Sequence, residues 1–346
     1  MPANYQLSTQ SRFTTGVSHH TRKHSHPEVI GFGAMNIDHL YRVDRVVVDG
    51  EQPVIDYKSF PGGSAANTIY GLSKLGIKTG LVGTVGMDEI GRELIQDLKS
   101  VGVDTCQIQV KQRAKTGYTI CLSDKLGRRA IYVFPGANNL LNFEDIDITY
   151  LSQAQIVHLS SLVGDRQFNQ QIEVVKKLAD SVKVTLSPGM LYAAKGLQTL
   201  APLLERTYIV FMNHDEIVHL TGKNFKDGAQ ECLQLGCHMV VVTLGKGIGK
   251  DKTKVVTGYI RDMVNEYEIE SEVKGQESLA LETTGAGDAF TAGFLFGFLK
   301  GKEIRKCGIL GDIMAYFAIK EPGARKGLPS LIQLSQSYLK RAREHL

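Results

Sequence analysis

The sequence predicts an α/β protein with three layers, in which helices cover both faces of a mainly parallel sheet. Short apolar runs bounded by glycines alternate with amphipathic helical stretches along most of the chain, which is typical of repeated β-α-β units. Two segments, 39–60 and 116–134, alternate apolar and polar residues instead and predict a small inserted sheet. A chain of 346 residues is long enough to bury the core of such a fold.

The amino-terminal segment, residues 1–28, differs from the rest and is predicted to be a disordered tail. Its first 27 residues contain no Asp or Glu and show no sustained apolar periodicity, so they lack the apolar surface to form a core. Its histidines admit metal binding, but a solvated tail explains them as well: His19, His20, His24 and His26. The Ser-rich start also resembles a targeting peptide, although no amphipathic helix or apolar secretion segment is visible.

The predicted elements follow in order from residue 29. "EVIGFGAM" predicts a strand, and "GGSAANTIYGLSKLGI" predicts a helix that Ser64 caps and Gly76 ends. "KTGLVGTVG" and "QIVHLSS" predict further strands, and "MDEIGRELIQDLKSVG" predicts a helix with acids in its first turn. The alternation continues through "FNQQIEVVKKLADS", "VKVTLSP", "ERTYIVFMN", "DEIVHLTG", "DGAQECLQLG" and "CHMVVVTLG". Parallel strands of this kind bind their ligands at the carboxyl ends.

The two segments that alternate apolar and polar residues predict hairpins around the turns "DG" and "DKLG". A small sheet built from them either covers a ligand site as a lid, joins two copies of the chain through its apolar face, or is only an edge of the fold. The sequence does not choose among these three roles.

Composition and charge argue against several classes of function. The formal net charge is +4, from 40 basic and 36 acidic residues that are scattered along the chain, so a nucleic-acid partner is not predicted. The apolar runs are far shorter than the roughly 20 residues of a membrane-spanning helix, so no membrane partner is predicted either. The five cysteines have neither a C-x-x-C nor a metal-ligand spacing, which favours reduced thiols in a cytoplasmic protein.

The stretch "TTGAGDAFTAGFLFGFLKG" carries a chemical signal. A helix is predicted from Gly285 onward, with glycines in its first turn. The unpaired backbone N–H groups at such a helix start bind phosphate, and glycine lets the backbone approach the oxygens closely. A carboxylate there, that of Asp288, would repel phosphate, unless it accepts the proton of a hydroxyl that attacks the phosphorus. An acid that only complements the helix dipole is the alternative explanation.

The segment "ETTGAGDAF" closely resembles the second signature of the ribokinase-like (PfkB-type) carbohydrate and nucleoside kinase family. "PGGSAANTIYGLSKLGIKTGLVGTVGMDEIG" (61–91) resembles the first signature, and "NHDE" and "VVTLGKGIG" resemble further family motifs in the expected order. The agreement extends over residues 29 to 330. This resemblance implies a Rossmann-like three-layer α/β/α ribokinase-like fold over 29–346, with an inserted β-sheet lid.

The resemblance also implies roles for individual residues. Asp288 would be the catalytic base. Backbone groups of four residues would form the anion hole: Thr284, Gly285, Ala286 and Gly287. Four others would bind the substrate or join the lid to the core: Asp38, Gly62, Gly63 and Asn67. Four more would contact the nucleotide, and Glu216 would hold magnesium; the four are Asn213, Thr243, Gly245 and Gly249.

Physical chemistry supports these roles and leaves alternatives open. Asp38 and Asn67 can together accept from and donate to polyol hydroxyls, although Asp38 also suits a turn after a strand. Asn213 and Glu216 are three residues apart, which places them on one face of a starting helix. Glu216 can hold magnesium through water there, but the same pair is also typical of a capping box.

The predicted function is an ATP-dependent, Mg2+-dependent kinase that phosphorylates a hydroxyl of a sugar or sugar-like substrate. A nucleoside kinase is the alternative, and Tyr41, Tyr118 or Phe134 from the lid would then pack against a base. A sugar or nucleotide sensor without catalysis is a third hypothesis. Glu282 stands where the family usually has Asp near a monovalent-cation site, so a requirement for K+ stays open. The resemblance also allows a homodimer through the lid.

Overall fold

Helices cover both faces of a nine-stranded sheet in the computed structural model of the protein, among the residues that it describes. The structure describes residues 26–126, 128–249, 254–272, 284–342 and 346. The predicted tail lies outside these ranges except for residues 26–28. The predicted α/β class, with a mainly parallel sheet and a smaller second sheet, is confirmed.

Strands and helices alternate along the chain much as the sequence predicts. The strands are β1 (Val29–Phe32), β2 (Asn36–Val43), β3 (Val54–Gly62), β4 (Thr79–Gly86), β5 (Ile108–Lys111), β6 (Gly117–Ser123), β7 (Arg129–Phe134), β8 (Ile156–Ser160), β9 (Lys183–Ser187), β10 (Thr207–Asn213), β11 (Met239–Gly249), β12 (Lys254–Asp262) and β13 (Glu266–Glu272). The helices are α1 (Ser64–Lys74), α2 (Glu89–Ser100), α3 (Ile148–Ser152), α4 (Asp165–Lys177), α5 (Gly189–Ala193), α6 (Leu197–Leu204), α7 (His214–Thr221), α8 (Phe225–Gln234), α9 (Ala286–Leu299), α10 (Ile304–Ala318) and α11 (Leu331–Ala342).

The large sheet is parallel over most of its width. Its strand order is β13-β12-β11-β10-β9-β8-β1-β4-β5, and all neighbours from β11 to β5 are parallel. β12 and β13 add an antiparallel edge beside β11. The chain progresses in one direction from β1 through β4 to β5 and in the other from β8 to β11, so the order reverses between β1 and β8. Ligands of such sheets bind outside the carboxyl ends of the strands at this reversal.

The central strands are buried on both faces, which explains their nearly continuous apolar sequences. In β10 and β11, Val210 and Val242 pack into the core on one face, while Phe211 and Val241 pack into the core on the other. Strands covered by helices on both sides have this composition. Within the described ranges, every helix falls short of the length or the hydropathy that a membrane span requires.

The two segments predicted as hairpins form a separate four-stranded sheet, here called the small sheet. Its order is β3-β2-β6-β7, with antiparallel pairing within each hairpin and parallel pairing between β2 and β6. Successive side chains of a strand point to opposite faces. The small sheet therefore carries two different sets of side chains, one on each face.

Candidate active site

Asp288 lies in the first turn of α9, where the helix starts directly after a glycine. Gly285 is the N-cap and has a φ of 78°, in the left-handed region that favours glycine. A Cβ at Gly285 would also lie 2.3 Å from the Cβ of Ala324. Both the backbone angle and the available space therefore require glycine at the point where α9 begins.

Two side chains of α1 hold the Asp288 carboxylate. Ser64 Oγ donates to Oδ1 at 2.6 Å, and Asn67 Nδ2 donates to Oδ2 at 2.8 Å. The prediction that Ser64 caps α1 is wrong, because Gly63 occupies the N-cap and Ser64 is already the first helical residue. The hydroxyl of Ser64 is therefore used to orient Asp288.

The environment of Asp288 suits a general base. Burial raises the pKa of Asp288 to about 6. The hydrogen bonds from Ser64 and Asn67 favour the charged form and lower the pKa, the negative charge of Asp38 raises it, and the positive charge of Arg325 lowers it. The carboxylate is thus mainly ionised at neutral pH but binds a proton at only slightly lower pH, as a proton acceptor in catalysis requires.

Asp38 approaches the same space from the small sheet. It lies on β2, next to Thr119 of β6, and Thr119 Oγ1 donates to Asp38 Oδ1 at 2.7 Å. A Cβ at Gly62 would lie 2.1 Å from Asp38 Oδ2, so glycine makes room for the carboxylate. Gly63, with a φ of 94°, then turns the chain from β3 into α1. The di-glycine is thus the joint between the small sheet and the rest of the fold.

A cavity of about 200 Å3 lies between the small sheet and the start of α9. Asp38, Asn67, Thr284 and Asp288 contribute polar groups to its lining. The rest of the lining includes apolar side chains from the small sheet, from the loop after β8 and from α5: Leu40, Cys121, Ile131, Val133, Leu162, Val163 and Leu191. Residues just beyond β1 and β8 also line the cavity, which places it where the strand order reverses.

The aromatic side chains that were predicted to pack against a nucleoside base lie on the other face of the small sheet. Tyr118 stacks on Phe134 with ring centroids 4.8 Å apart, and Tyr41 packs against Tyr57 at 4.9 Å. These residues alternate along the strands with those that line the cavity. The prediction for Tyr41, Tyr118 and Phe134 is wrong, because apolar alternation does not reveal which face of a sheet is turned toward a site.

Asn213 ends β10 and lies beside Thr243, which is near the middle of β11 and forms the last pair between the two strands. Asn213 is also the N-cap of α7, since its Oδ1 accepts from the Glu216 N–H at 2.8 Å. Glu216 Oε2 accepts from the Asn213 N–H at 2.9 Å, which completes the capping box. The alternative explanation for this pair is therefore present in the structure, and it fixes the position of the Glu216 carboxylate.

The charge state of Glu216 connects it to Asp288. Burial raises the pKa of Glu216 to about 7, the N–H of Asn213 lowers it, and the charges of Asp288 and Asp215 raise it. The two raised carboxyl groups are thus within electrostatic reach of each other. A cation beside Glu216 would lower the pKa of Glu216 and stabilise its charge.

The predicted anion hole at 284–287 has free space beside Gly287. Gly287 is exposed, and a Cβ there would meet no atom within 4 Å. Thr284 lines the cavity beside Asp288, and Ala286 is the first residue of α9. The helix start therefore offers backbone N–H groups next to the cavity.

The other predicted nucleotide residues lie along β11. Gly245 follows Thr243 with a φ of 59° and open space around it. Gly249 lies at the exposed end of β11, opposite Val255 of β12, and thus outside the group around Asn213. Glu282, on which the K+ prediction depends, lies outside the described residues.

Sequence reasoning missed Arg325 and Thr119. Thr119 faces the cavity because it lies directly opposite Asp38, so strand register would have found it. Arg325 donates to Asn67 Oδ1 at 2.9 Å across a separation of 258 residues. Local sequence carries no signal for such a contact.

Comparisons with known proteins agree with this arrangement. The model of the pfkB family carbohydrate kinases matches residues 27–331. An uncharacterized sugar kinase of Archaeoglobus fulgidus is 36% identical over 263 residues, which cover 75% of this chain and 98% of that protein. A nucleoside kinase of Methanocaldococcus jannaschii is 25% identical over 300 residues, which cover 86% of this chain and 92% of that protein. The crystal structure of ribokinase from Thermotoga maritima has a TM-score of 0.75 and 26% identity, covering 91% of this chain and 99% of that one.

The family match includes every residue of the candidate site, from Asp38 on the small sheet to Asp288 at the start of α9. Both glycine-rich signatures lie where the structure requires glycine, at the joint of the small sheet and at the N-cap of α9. The chain therefore belongs to the pfkB family of carbohydrate kinases and is a phosphotransferase with an alcohol group as acceptor.

Proposed function

We propose that this chain is an ATP- and Mg2+-dependent kinase that transfers the γ-phosphoryl group to a hydroxyl of a sugar or sugar-like substrate, with Asp288 as the catalytic base. One observation carries the proposal. A carboxyl group whose pKa is raised to about 6 lies in the first turn of α9 and lines the cavity. A helix start attracts anions and so provides a position for a phosphate group. A carboxylate beside that position is explained if it accepts the proton of the hydroxyl that attacks the phosphate.

Different residues of the chain accept the proton, orient the base and stabilise the phosphoryl charge. The ionised Asp288 carboxylate accepts the proton of the substrate hydroxyl as that oxygen bonds to the γ-phosphorus, and the bond from the phosphorus to the β-phosphate oxygen breaks. Ser64 and Asn67 each occupy one lone pair of the carboxylate and leave others for the hydroxyl. Backbone N–H groups at 284–287 stabilise the charge that develops on the phosphoryl oxygens.

The residues present fit a magnesium nucleotide. The open space at Gly287 admits a phosphate group at the helix start. Mg2+ usually binds one or two carboxylates, several waters and the substrate phosphates, so Glu216 suffices as its protein partner and Asp288 stays available as the base. The described residues contain no group of three or more side chains that would enclose a metal on their own. Bound magnesium supplies charge neutralisation for the phosphates.

The cavity favours a small, uncharged polyol as the acceptor. Its volume of about 200 Å3 is below the roughly 300 to 1,000 Å3 of sites for larger ligands. Among the described residues that line it, the charged side chains are the carboxylates of Asp38 and Asp288. Two carboxylates accept hydrogen bonds from sugar hydroxyls and repel a phosphorylated or acidic substrate.

A nucleoside is the second candidate, and the apolar part of the cavity favours it. Leu40, Ile131 and Val133 of the small sheet line the same space as two aliphatic side chains from beyond it. These are Leu162, after β8, and Leu191 of α5. Such aliphatic walls bind the faces of a planar base without the aromatic stacking that the sequence suggested. The small sheet would have to open further to admit a base beside the sugar.

The test is an assay of ADP release with ATP and Mg2+ across pentoses, hexoses, sugar acids, phosphosugars and nucleosides. We expect the strongest turnover on an uncharged sugar, with loss of that turnover in Asp288→Asn. Turnover confined to nucleosides would establish the second candidate. Silence with every acceptor would contradict the kinase proposal and support a sensor.

We also propose that the small sheet works as a lid and joins two copies of the chain. Its face away from the cavity exposes Ile55, Tyr57, Tyr132 and Phe134, each with 45% or more of its surface accessible. A contiguous apolar face of this kind typically marks a contact surface. Sedimentation velocity would show a dimer that Tyr132→Lys converts to monomer; a monomeric wild type at micromolar concentration would contradict this proposal.

A further inference from the structure

Arg325 is a buried arginine beside the acceptor side of the site, and only 7% of its surface is exposed. It belongs to the segment 321–327, "EPGARKG", between α10 and α11. Arginine is almost never buried unless its charge and its donors are paired. Its partners therefore indicate what the residue holds in place.

The guanidinium of Arg325 connects three elements. Nη1 donates to Asp97 Oδ2 of α2 at 2.5 Å, Nη2 donates to the Gly62 carbonyl at 3.1 Å, and Nε donates to Asn67 Oδ1 of α1 at 2.9 Å. The guanidinium also lies over the ring of Tyr70, 5.2 Å from its centroid. One rigid, planar group thus spans α2, the end of β3 and α1, a geometry that lysine does not reproduce.

The contact with Asn67 determines how the base is held. The two ends of an amide group differ, since the oxygen only accepts and the nitrogen only donates. With Oδ1 facing Arg325, the amide presents Nδ2 to Asp288 Oδ2, at 2.8 Å. Without the arginine, the amide loses the group that distinguishes its two orientations, and the flipped form would place an oxygen against the Asp288 carboxylate.

The neighbours of Arg325 in the segment 321–327 contact other elements of the site. A Cβ at Gly323 would lie 2.6 Å from the ring of Phe60, near the end of β3. Ala324 is packed so closely on Gly285 that no Cβ fits between them. The segment therefore contacts the joint of the small sheet, Asn67 and the start of α9 within three consecutive residues.

The charge of Arg325 also acts on Asp288. The negative charge of Asp38 on β2 raises the pKa of Asp288, and the charge of Asp288 raises the pKa of Glu216 on α7. The positive charge of Arg325 lowers the pKa of Asp288. Removing this cation favours the protonated form of the base. A measured pKa of Asp288 is therefore sensitive to the loss of Arg325, although Arg325 does not contact Asp288 directly and is linked to it through Asn67.

We propose that Arg325 is a positioning residue for phosphoryl transfer, which orients the Asn67 amide toward Asp288 and holds the Gly62–Gly63 joint against the start of α9. The inference rests on the role proposed above for Asp288 and extends it to a residue that is not among those lining the cavity. Arg325 touches neither the substrate space nor the reacting atoms, so it acts through Asn67 and the joint.

The test compares Arg325→Met, Arg325→Lys and Asp97→Asn with the wild type. The measurements are kcat, KM for the acceptor, KM for ATP, the pH dependence of kcat/KM, and the melting temperature. Asp97→Asn is the matched control, because it removes the charge of the ion pair between Arg325 and Asp97 but leaves the contact between Arg325 and Asn67. A role that is merely structural would affect Arg325→Met and Asp97→Asn alike.

For Arg325→Met we expect kcat about 10- to 100-fold lower, with KM for ATP unchanged, because the base is misplaced. The apparent pKa of kcat/KM should rise by about half a pH unit or more, since the offsetting cation is lost. Arg325→Lys should keep the apparent pKa near that of the wild type but lower kcat, because one ammonium cannot span Asn67, Gly62 and Asp97. Asp97→Asn should melt at a lower temperature without an upward shift of the apparent pKa.

Two results would overturn this inference. One is an unchanged pH profile in Arg325→Met together with a kcat loss no larger than that of Asp97→Asn. The other is wild-type kcat in Arg325→Lys, which decides the question even if Arg325→Met fails to fold. Absence of turnover in the wild type with every acceptor would instead refute the proposed function, so the two failures are distinguishable.

Discussion

The two halves of the candidate site differ in how completely the protein itself builds them. The acceptor half, formed by Asp38, Ser64, Asn67 and Asp288, is an interlocked set of side chains around a cavity. The nucleotide half, formed by Asn213, Glu216, Thr243 and Gly245, is more open, since Asn213 and Gly245 are exposed and a Cβ at Gly245 would meet no atom within 4 Å. In the nucleotide half, the hydrogen bonds of Glu216 are made to its own helix cap.

This difference indicates where binding energy is needed. The acceptor half is oriented before a substrate arrives, which spares the cost of ordering the base at the moment of reaction. The nucleotide half gains its remaining partners from the phosphates and Mg2+. Changes in the acceptor half should therefore lower kcat, while changes in the nucleotide half should alter the dependence on Mg2+ and ATP.

The largest effect should come from Asp288→Asn. We expect kcat to fall by about 10² to 10⁴, because the amide cannot accept the hydroxyl proton. The dissociation constant of ATP, measured by calorimetry, should stay within a few-fold of the wild type.

The matched control for Asp288→Asn is Asp165→Asn. Asp165 is likewise a first-turn acid of a helix that starts after a glycine with positive φ, Gly164, but it belongs to α4. Equal activity losses in the two variants would mean that Asp288 only complements the helix dipole.

A second, smaller effect should come from Gly285→Ala, at the boundary of the two halves. The new Cβ would clash with Ala324 and displace the start of α9, and a displacement of about 1 Å costs about 10²-fold in rate. Gly301→Ala, after the other end of α9, is the control, since its φ of 67° imposes similar backbone strain in open space. Both variants should lower the melting temperature, but only Gly285→Ala should lower kcat; a fully active Gly285→Ala would contradict the assignment of the helix start.

Glu216→Gln separates the two explanations of the Asn213–Glu216 pair. Gln preserves a capping box, so the melting temperature should change little. The Mg2+ concentration for half-maximal rate should rise about 10- to 100-fold, as expected when a group that orients a metal is lost. Asp145→Asn changes the acid of a second capping box, which Asn142 starts, and should leave the Mg2+ dependence unchanged. If the Mg2+ dependence of Glu216→Gln equals that of the wild type, Glu216 serves only as part of the helix cap.

The sequence was sufficient wherever the determining contacts are local. Hydrophobic periodicity predicted the alternating strands and helices, and the spacing of Asn213 and Glu216 predicted a helix start that the structure confirms. Gly285 adopts a positive φ, a backbone conformation that glycine tolerates more easily than other residues. These features depend on neighbours within a few residues, which is why they can be read without the fold.

Contacts between distant segments were beyond sequence reasoning. The buried Arg325 is recognisable only once the segment after α10 is packed against α1. Serine is a residue type that often caps helices. Only the packing of α9 beside α1 shows that the hydroxyl of Ser64 donates to Asp288 instead. The alternation of apolar and polar residues places Tyr118 and Phe134 on one face of the small sheet. The sequence does not show which face is turned toward the cavity.

The most direct measurement is the pH dependence of kcat/KM at saturating Mg2+, which keeps Glu216 ionised. The account predicts a rate that is level at neutral pH and falls tenfold per pH unit below about 6, because the raised pKa of Asp288 makes protonation remove the base. The residual activity of Asp288→Asn should lack this acid limb. A wild-type profile that stays level down to pH 5, or an acid limb that persists in Asp288→Asn, would contradict the assignment of Asp288 as the catalytic base.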